Sequence, residues 1–148
     1  MSLETTINTA IVVAMKAKDK VALDSLRAVK AQILLLKTES RGAEVSEEQG
    51  IAILQRMVKQ RKDSYEQFSA QGRTDLADVE TAQIKVIEEY LPKQLTDDEL
   101  QTEIEKTIAE TGASTIKDMG KVIGIASKDL AGKAEGKRIS EMVKKLLV

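Results

Sequence analysis

The chain has 148 residues, 42% of them hydrophobic and 32% charged, with a net charge of −1, which suffices for one domain or two small ones. It contains no cysteine and no histidine, which excludes disulfides, thiolate metal sites, cysteine nucleophiles and the commonest general base. Aromatics are only 2%, so any core is aliphatic; no apolar run is long enough to span a bilayer, no secretory signal pattern is seen, and a cytoplasmic protein without a membrane partner is expected.

In chain order, every periodicity is helical and none alternates with period two. Residues 3–18 place Leu3, Ile7, Ala10, Ile11 and Ala14 on one face. After the polar break at Lys18-Asp19-Lys20, Leu23, Leu26, Val29, Ile33 and Leu36 continue at three- and four-residue steps. The stretch RGAEVSEEQ interrupts, and Ser46 with Gln49 has the spacing of a capping box. A long helix with the stripe Ile51, Leu54, Val58, Tyr65 and Phe68 follows, broken by Arg61, and Gln71-Gly72 ends it. Leu76, Val79, Val86 and Tyr90 form the next stripe, which stops at Leu91-Pro92 because proline disfavours helix in the residue before it.

Beyond Pro92, Thr96 with Glu99 offers a second capping box, and Leu100, Ile104 and Ile108 predict a short helix ending near Gly112. Ser114 opens another, with Ile116, Met119, Ile123, Ala126 and Leu130. Gly132 to Gly136 reads as a turn, and Ile139, Met142, Val143 and Leu146 finish the chain. The expectation is an all-α protein: a four-helix domain over 1–92, a proline hinge, and a three-helix tail domain over 93–148.

The near-zero net charge hides an asymmetry. Residues 96–110 carry six acids against one base, whereas 113–148 carry eight bases against four acids. Such a division marks either an anionic partner or a mixed solvated surface. The segment GKAEGKRISEMVKKLL (132–147) invites comparison with a phosphate-binding loop. That motif needs four residues between its glycines, a Ser or Thr after the Lys, and a preceding strand. Here three residues separate Gly132 from Gly136, Arg138 stands at the hydroxyl position, and the preceding segment is helical. Nucleotide hydrolysis is therefore excluded as the expected chemistry.

A weaker anion site survives, since helix-opening N–H groups attract phosphate and Lys133, Lys137 and Arg138 surround that opening. A plain helix–helix turn with solvated lysines is the alternative. In the preceding helix, Lys117, Lys121, Gly124 and Lys128 fall within an arc of roughly 60° at about 100° per residue. Gly124 there costs about 1 kcal/mol of helix stability relative to alanine, which a close approach by another backbone would explain. Residues 91–148 hold no aromatic, so contact with RNA should read folded shape and not base sequence.

Elsewhere, Arg61 on an apolar stripe calls for a partner, with Glu88 or Glu89 the candidates, and Arg27 and Lys30 invite the same structural-or-ligand choice. Asp97, Asp98 and Glu99 suit a helix N-terminus better than a metal site. Neither Ser127-Lys128 nor Ser40-Arg41 sits in the Gly/Ser-rich setting a serine nucleophile needs, so no catalytic residue, metal or cofactor is expected.

Four blocks in order, KQRKDSYEQF…GRTDLADVE, EEYLPKQLTDDEL, TGASTIKDMGKVIG and GKAEGKRISEMVKKLL, together with MKAKDK near the start, resemble the YqeY-like family. That family is similar to the C-terminal part of the B subunit of glutamine-dependent aspartyl/glutamyl-tRNA amidotransferase. The resemblance implies an all-α fold with a small tail domain, the counterpart of which contacts the elbow of transfer RNA. It also implies the family's label, a carbon–nitrogen ligase with glutamine as amido-N-donor. The kinase-like catalytic part of the B subunit lies upstream of the matching region and the glutaminase on another subunit, so the label is expected to describe kinship. The expected function is a tRNA-binding helical adaptor that uses Lys117, Lys121, Gly124, Lys128, Lys133, Lys137 and Arg138. The open alternatives are an accessory amidotransferase subunit, with amidotransferase or aminoacyl-tRNA-handling proteins as partners, and a protein–protein module without RNA.

Overall fold

The computed structural model describes residues 2–147. Among them the secondary structure is α-helical throughout, apart from one 3₁₀ turn, and no strand occurs. The α-helices are α1 (Leu3–Ala17), α2 (Lys20–Glu39), α3 (Glu47–Ala70), α4 (Thr74–Glu88), α5 (Asp97–Thr111), α6 (Met119–Asp129) and α7 (Gly136–Leu146), with the 3₁₀ turn Ile116–Asp118 before α6. The chain folds as two compact units, 1–91 and 92–148.

Helix ends follow from local chemistry. The Asp19 carboxylate accepts from the Ala22 N–H at 3.1 Å and opens α2, while Lys18 takes a left-handed conformation (φ 56°) to make the turn out of α1. Both capping boxes form: Ser46 Oγ accepts from Gln49 N–H at 3.1 Å, and Thr96 Oγ1 from Glu99 N–H at 3.2 Å, with each partner side chain reaching back. Gly72 (φ 71°) and Gly112 (φ 70°) supply the left-handed residues after α3 and α5.

In the first unit α1 packs on α2, α2 on α3 and α4, and α3 most extensively on α4. The core is Ile7, Ala14, Leu26, Val29, Ile33, Ile53, Leu54, Met57, Val58 and Ile87. Ile7, Ile33 and Ile87 are wholly buried, and each such side chain contributes about 1.5–3 kcal/mol of transfer free energy. Ser25 is buried too, its hydroxyl satisfied by donation to the Val21 carbonyl at 2.8 Å.

The expected stripes of α3 and α4 need correction. Ile53 and Met57 join Leu54 and Val58 in the core, and Tyr65 is exposed, because burial on α3 ends at Val58. In α4, Ala77 and Ile87 are the buried pair, and Val79 is 49% exposed. Val79 lies roughly 200° around the helix from Ala77. Arg61 does sit on the apolar stripe, but its partner is neutral: Nε donates to Gln83 Oε1 at 3.0 Å and Nη1 to the Met57 carbonyl at 3.4 Å. Glu88 lies 4.0 Å from Lys62 instead.

The second unit packs α5, α6 and α7 around Leu100, Ile104, Val122, Ala126, Leu130, Ala134, Ile139, Val143 and Leu147. Val122 replaces the expected Ile116 in that core. Ile116 stands outside α6 on the 3₁₀ turn and is 47% exposed.

Candidate nucleic-acid interface

The second unit is electrically divided. Ten bases balance ten acids over residues 92–148. The acids concentrate on α5, the bases on α6, α7 and the turns beside them. Amphipathicity sets where these charges go. Val122 and Ala126 bury one face of α6, and Ile139 and Val143 one face of α7, which leaves the lysines outward.

On α6, Lys121 and Lys128 are both exposed and seven residues apart, two helical turns with an offset of about 20°. Gly124 lies between them on the same exposed face. A Cβ built there would meet nothing within 4 Å, and the same holds at Gly120, one turn earlier. No helix of this unit therefore approaches Gly124, and the close-packing explanation for that glycine is removed. The face is bare backbone bracketed by ammonium groups. Gly120 is missing from the residues expected at the site, although its four-residue spacing from Gly124 is visible in the sequence.

Lys117 belongs to the 3₁₀ turn and not to α6, so the single arc computed at helical pitch does not apply to it. It is exposed beside the helix start. That turn is fixed by Asp118, whose Oδ2 accepts from the Ser114 and Thr115 N–H groups at 3.1 and 3.3 Å. Those backbone donors hold the Asp118 carboxyl below its ordinary value, with the nearby Lys121 charge acting in the same direction. Ser114, expected to open the helix, is instead held by this carboxylate.

The glycine turn after α6 is a structural corner. Gly132 is buried and left-handed (φ 80°); its carbonyl accepts from Gln94 Nε2 at 2.6 Å. The Lys133 carbonyl accepts from the Leu95 N–H at 2.8 Å. Arg138 completes the corner, its Nη2 donating to the Leu95 carbonyl at 2.8 Å and to Asp97 Oδ1 at 2.9 Å. Arg138 is thereby committed to joining α7 to the start of α5, while Lys133 and Lys137 remain exposed around it. Gly136 is the first residue of α7 and not part of the turn. On α7, exposed Glu141 lies between Lys137 and the Lys144-Lys145 pair and weakens the positive charge of that flank.

The structure thus brings Lys121, Gly124 and Lys128 together, sets Lys117 beside them, and leaves Lys137 on a separate helix. Lys117, Lys121, Lys128, Lys133 and Lys137 form no salt bridge among the described residues. The arrangement offers point charges and open backbone to a polyanion; among the described residues no His, Cys, Asp or Glu cluster could hold a metal ion. No described helix is long and apolar enough to cross a membrane.

Comparison with known proteins agrees with the resemblance read from the sequence. Two curated relatives share the description "Altered inheritance of mitochondria protein 41, mitochondrial". The protein from Pyrenophora tritici-repentis (strain Pt-1C-BFP) is 27% identical over 136 residues, 88% of this chain and 75% of that protein. The one from Lachancea thermotolerans (strain ATCC 56472 / CBS 6340 / NRRL Y-8284) is 31% identical over 78 residues, 53% of this chain and 42% of that protein. The family model described as "Yqey-like protein" matches residues 4–147, nearly end to end, and the chain belongs to the YqeY-like family.

Proposed function

We propose that residues 92–148 form a module that binds folded RNA by its shape, with transfer RNA the expected partner, and that residues 1–91 act as a helical adaptor. Pro92 marks the joint between the two. The carrying observation is the α6 face, where Gly120 and Gly124 leave open backbone beside Lys121 and Lys128. Gly124, in the interior of an 11-residue helix, lowers its intrinsic stability by about 1 kcal/mol relative to alanine, and Gly120 adds a second side-chain-free position in the first turn. A ribose-phosphate ridge approaching the helix backbone, with lysines on its phosphates, gives that cost a use.

Support also comes from the family's kinship with the amidotransferase B subunit, whose tail meets transfer RNA. Lys117, Lys133 and Lys137 extend the contact, and Arg138 acts indirectly by fixing the start of α7. The relatives' names describe mitochondrial proteins, and this mode of binding suits any compartment that holds transfer RNA. The adaptor role rests on α1, where Val12, Val13 and Met15 are all exposed and available to a protein partner. An accessory role in amide transfer remains the second reading, carried by the same kinship.

Fluorescence anisotropy with labelled tRNA, compared with single-stranded RNA of equal length, tests the proposal. A preference for tRNA of about tenfold or more is expected, worth about 1.4 kcal/mol. Equal affinity for both, or none for either, would contradict it. Adding the chain to purified amidotransferase and measuring amide formation on mischarged tRNA tests the accessory reading.

A further inference from the structure

We propose that Ile116 and the shallow apolar depression beside it cover the face of a nucleobase left unstacked on the surface of a folded RNA. The inference rests on the RNA-binding reading of the tail and names what that surface selects.

Ile116 is a β-branched aliphatic side chain, 47% exposed, in a unit whose other large apolar residues are mostly buried. It opens the 3₁₀ turn Ile116–Asp118, which is held by the Asp118 N–H donating to the Thr115 carbonyl at 3.0 Å and by the Asp118 carboxylate accepting from the Ser114 and Thr115 N–H groups. The side chain is therefore presented on a fixed backbone, and little further ordering is needed when it is covered. Beside it lies an open depression lined by Ser114, Thr115, Ile116 and Leu147, with Leu147 itself nearly buried.

Charge and size choose the occupant. Lys117 follows Ile116 directly and Lys121 stands at the start of α6, both exposed; they outnumber the one nearby carboxylate, Asp118, whose Oδ2 already accepts from the Ser114 and Thr115 N–H groups. An occupant with anionic groups around a flat apolar plate fits, and a nucleobase in its sugar-phosphate chain is such an object. An amphipathic partner helix would require a lengthwise groove with anchors at successive turns. A four-residue depression with one protruding side chain offers no such succession of anchors. The tail contains no Phe, Tyr or Trp, so any base-face contact it makes must be aliphatic. Bases inside a regular RNA helix are stacked and unavailable; uncovered faces occur where a fold turns or a stack ends. Ile116 thus offers a way to distinguish a folded RNA from a plain duplex using no hydrogen bond to a base edge.

The test compares the full chain with Ile116→Ser and Ile116→Val, titrated against tRNA and against a long RNA duplex at several salt concentrations. Because the side chain is exposed, unchanged thermal melts are expected for both variants. Ile116→Ser should weaken tRNA binding about five- to tenfold, as expected for uncovering one aliphatic side chain, and Ile116→Val should recover most of it. The salt slope and the duplex affinity should not change. Wild-type tRNA affinity in Ile116→Ser, or an equal loss on tRNA and duplex, overturns the inference while leaving the RNA reading intact. Self-association of the wild type that Ile116→Ser abolishes also overturns it, by making a second copy the occupant. Failure of the wild type to bind tRNA removes both.

Discussion

Gly124 and Gly120 separate stability from function more sharply than any other residues of the tail. Each has open space where a Cβ would go, so Gly124→Ala is expected to stabilise α6 by about 1 kcal/mol. The same methyl group would hold a phosphate ridge away from the helix, so tRNA affinity should fall as thermal stability rises; a variant that gains both would argue against backbone approach. Arg138 behaves in the opposite way. Its side chain is 32% exposed and Asp97's is 86% exposed, so the ion pair itself contributes little. The bond to the Leu95 carbonyl is the better-protected half, and Arg138→Ala should lower the stability of the tail by about 1–2 kcal/mol. Both bonds come from the single nitrogen Nη2, so Arg138→Lys, whose one ammonium carries three donors, should recover part of the loss. Thermal melts of the two variants check this. Asp118 gives a pH signature. Its folded carboxyl is held below the ordinary value by two backbone donors, so its contribution is present at neutral pH and is lost as pH falls through that depressed folded value. Asp118→Asn should therefore lower the melting temperature at pH 7 and converge on the wild type in strong acid. A difference that persists in acid would mean the carboxylate charge is not the cause.

Among the elements, caps were the most legible feature and helix faces the least. Ser46–Gln49 and Thr96–Glu99 announce their helices because a capping box is a local chemical unit needing no tertiary partner. Replacing Thr96 by alanine should cost the tail about 1 kcal/mol, measurable by denaturant titration. Faces depend on which neighbour arrives, and Val79 and Tyr65 point to solvent although both continue an apolar series. Arg61 shows the same limit: its place on the stripe is readable, but its partner, Gln83, is chosen by the packing of α3 on α4. The candidate site was legible where it lies on one regular helix, as with Lys121, Gly124 and Lys128. It was not legible at Lys117, because a 3₁₀ turn replaces the expected helical start. Nor was it legible at Arg138, whose partners lie 41 and 43 residues away in sequence.

At the scale of the whole molecule, the two units have separate cores drawn from non-overlapping parts of the chain. Ile33→Ala and Ile104→Ala each remove a wholly buried side chain and should each destabilise their own unit by about 2–5 kcal/mol. Calorimetry should show the first variant lowering the transition of residues 1–91 and the second that of 92–148. Charge is divided within the tail, which is neutral in sum yet acidic on α5 and basic on α6 and α7, and the proposal has a polyanion meet the α6 face. The most direct measurement of that claim is tRNA affinity as a function of salt, for the wild type and for Lys121→Glu/Lys128→Glu. The wild type should lose affinity steeply with salt, with a log–log slope of about −3.5 to −4.5 for some five phosphate contacts. The double variant should bind more weakly, with a slope shallower by about 2. Wild-type affinity that is flat in salt, or a double variant that matches the wild type, would contradict the assignment of the α6 face to RNA.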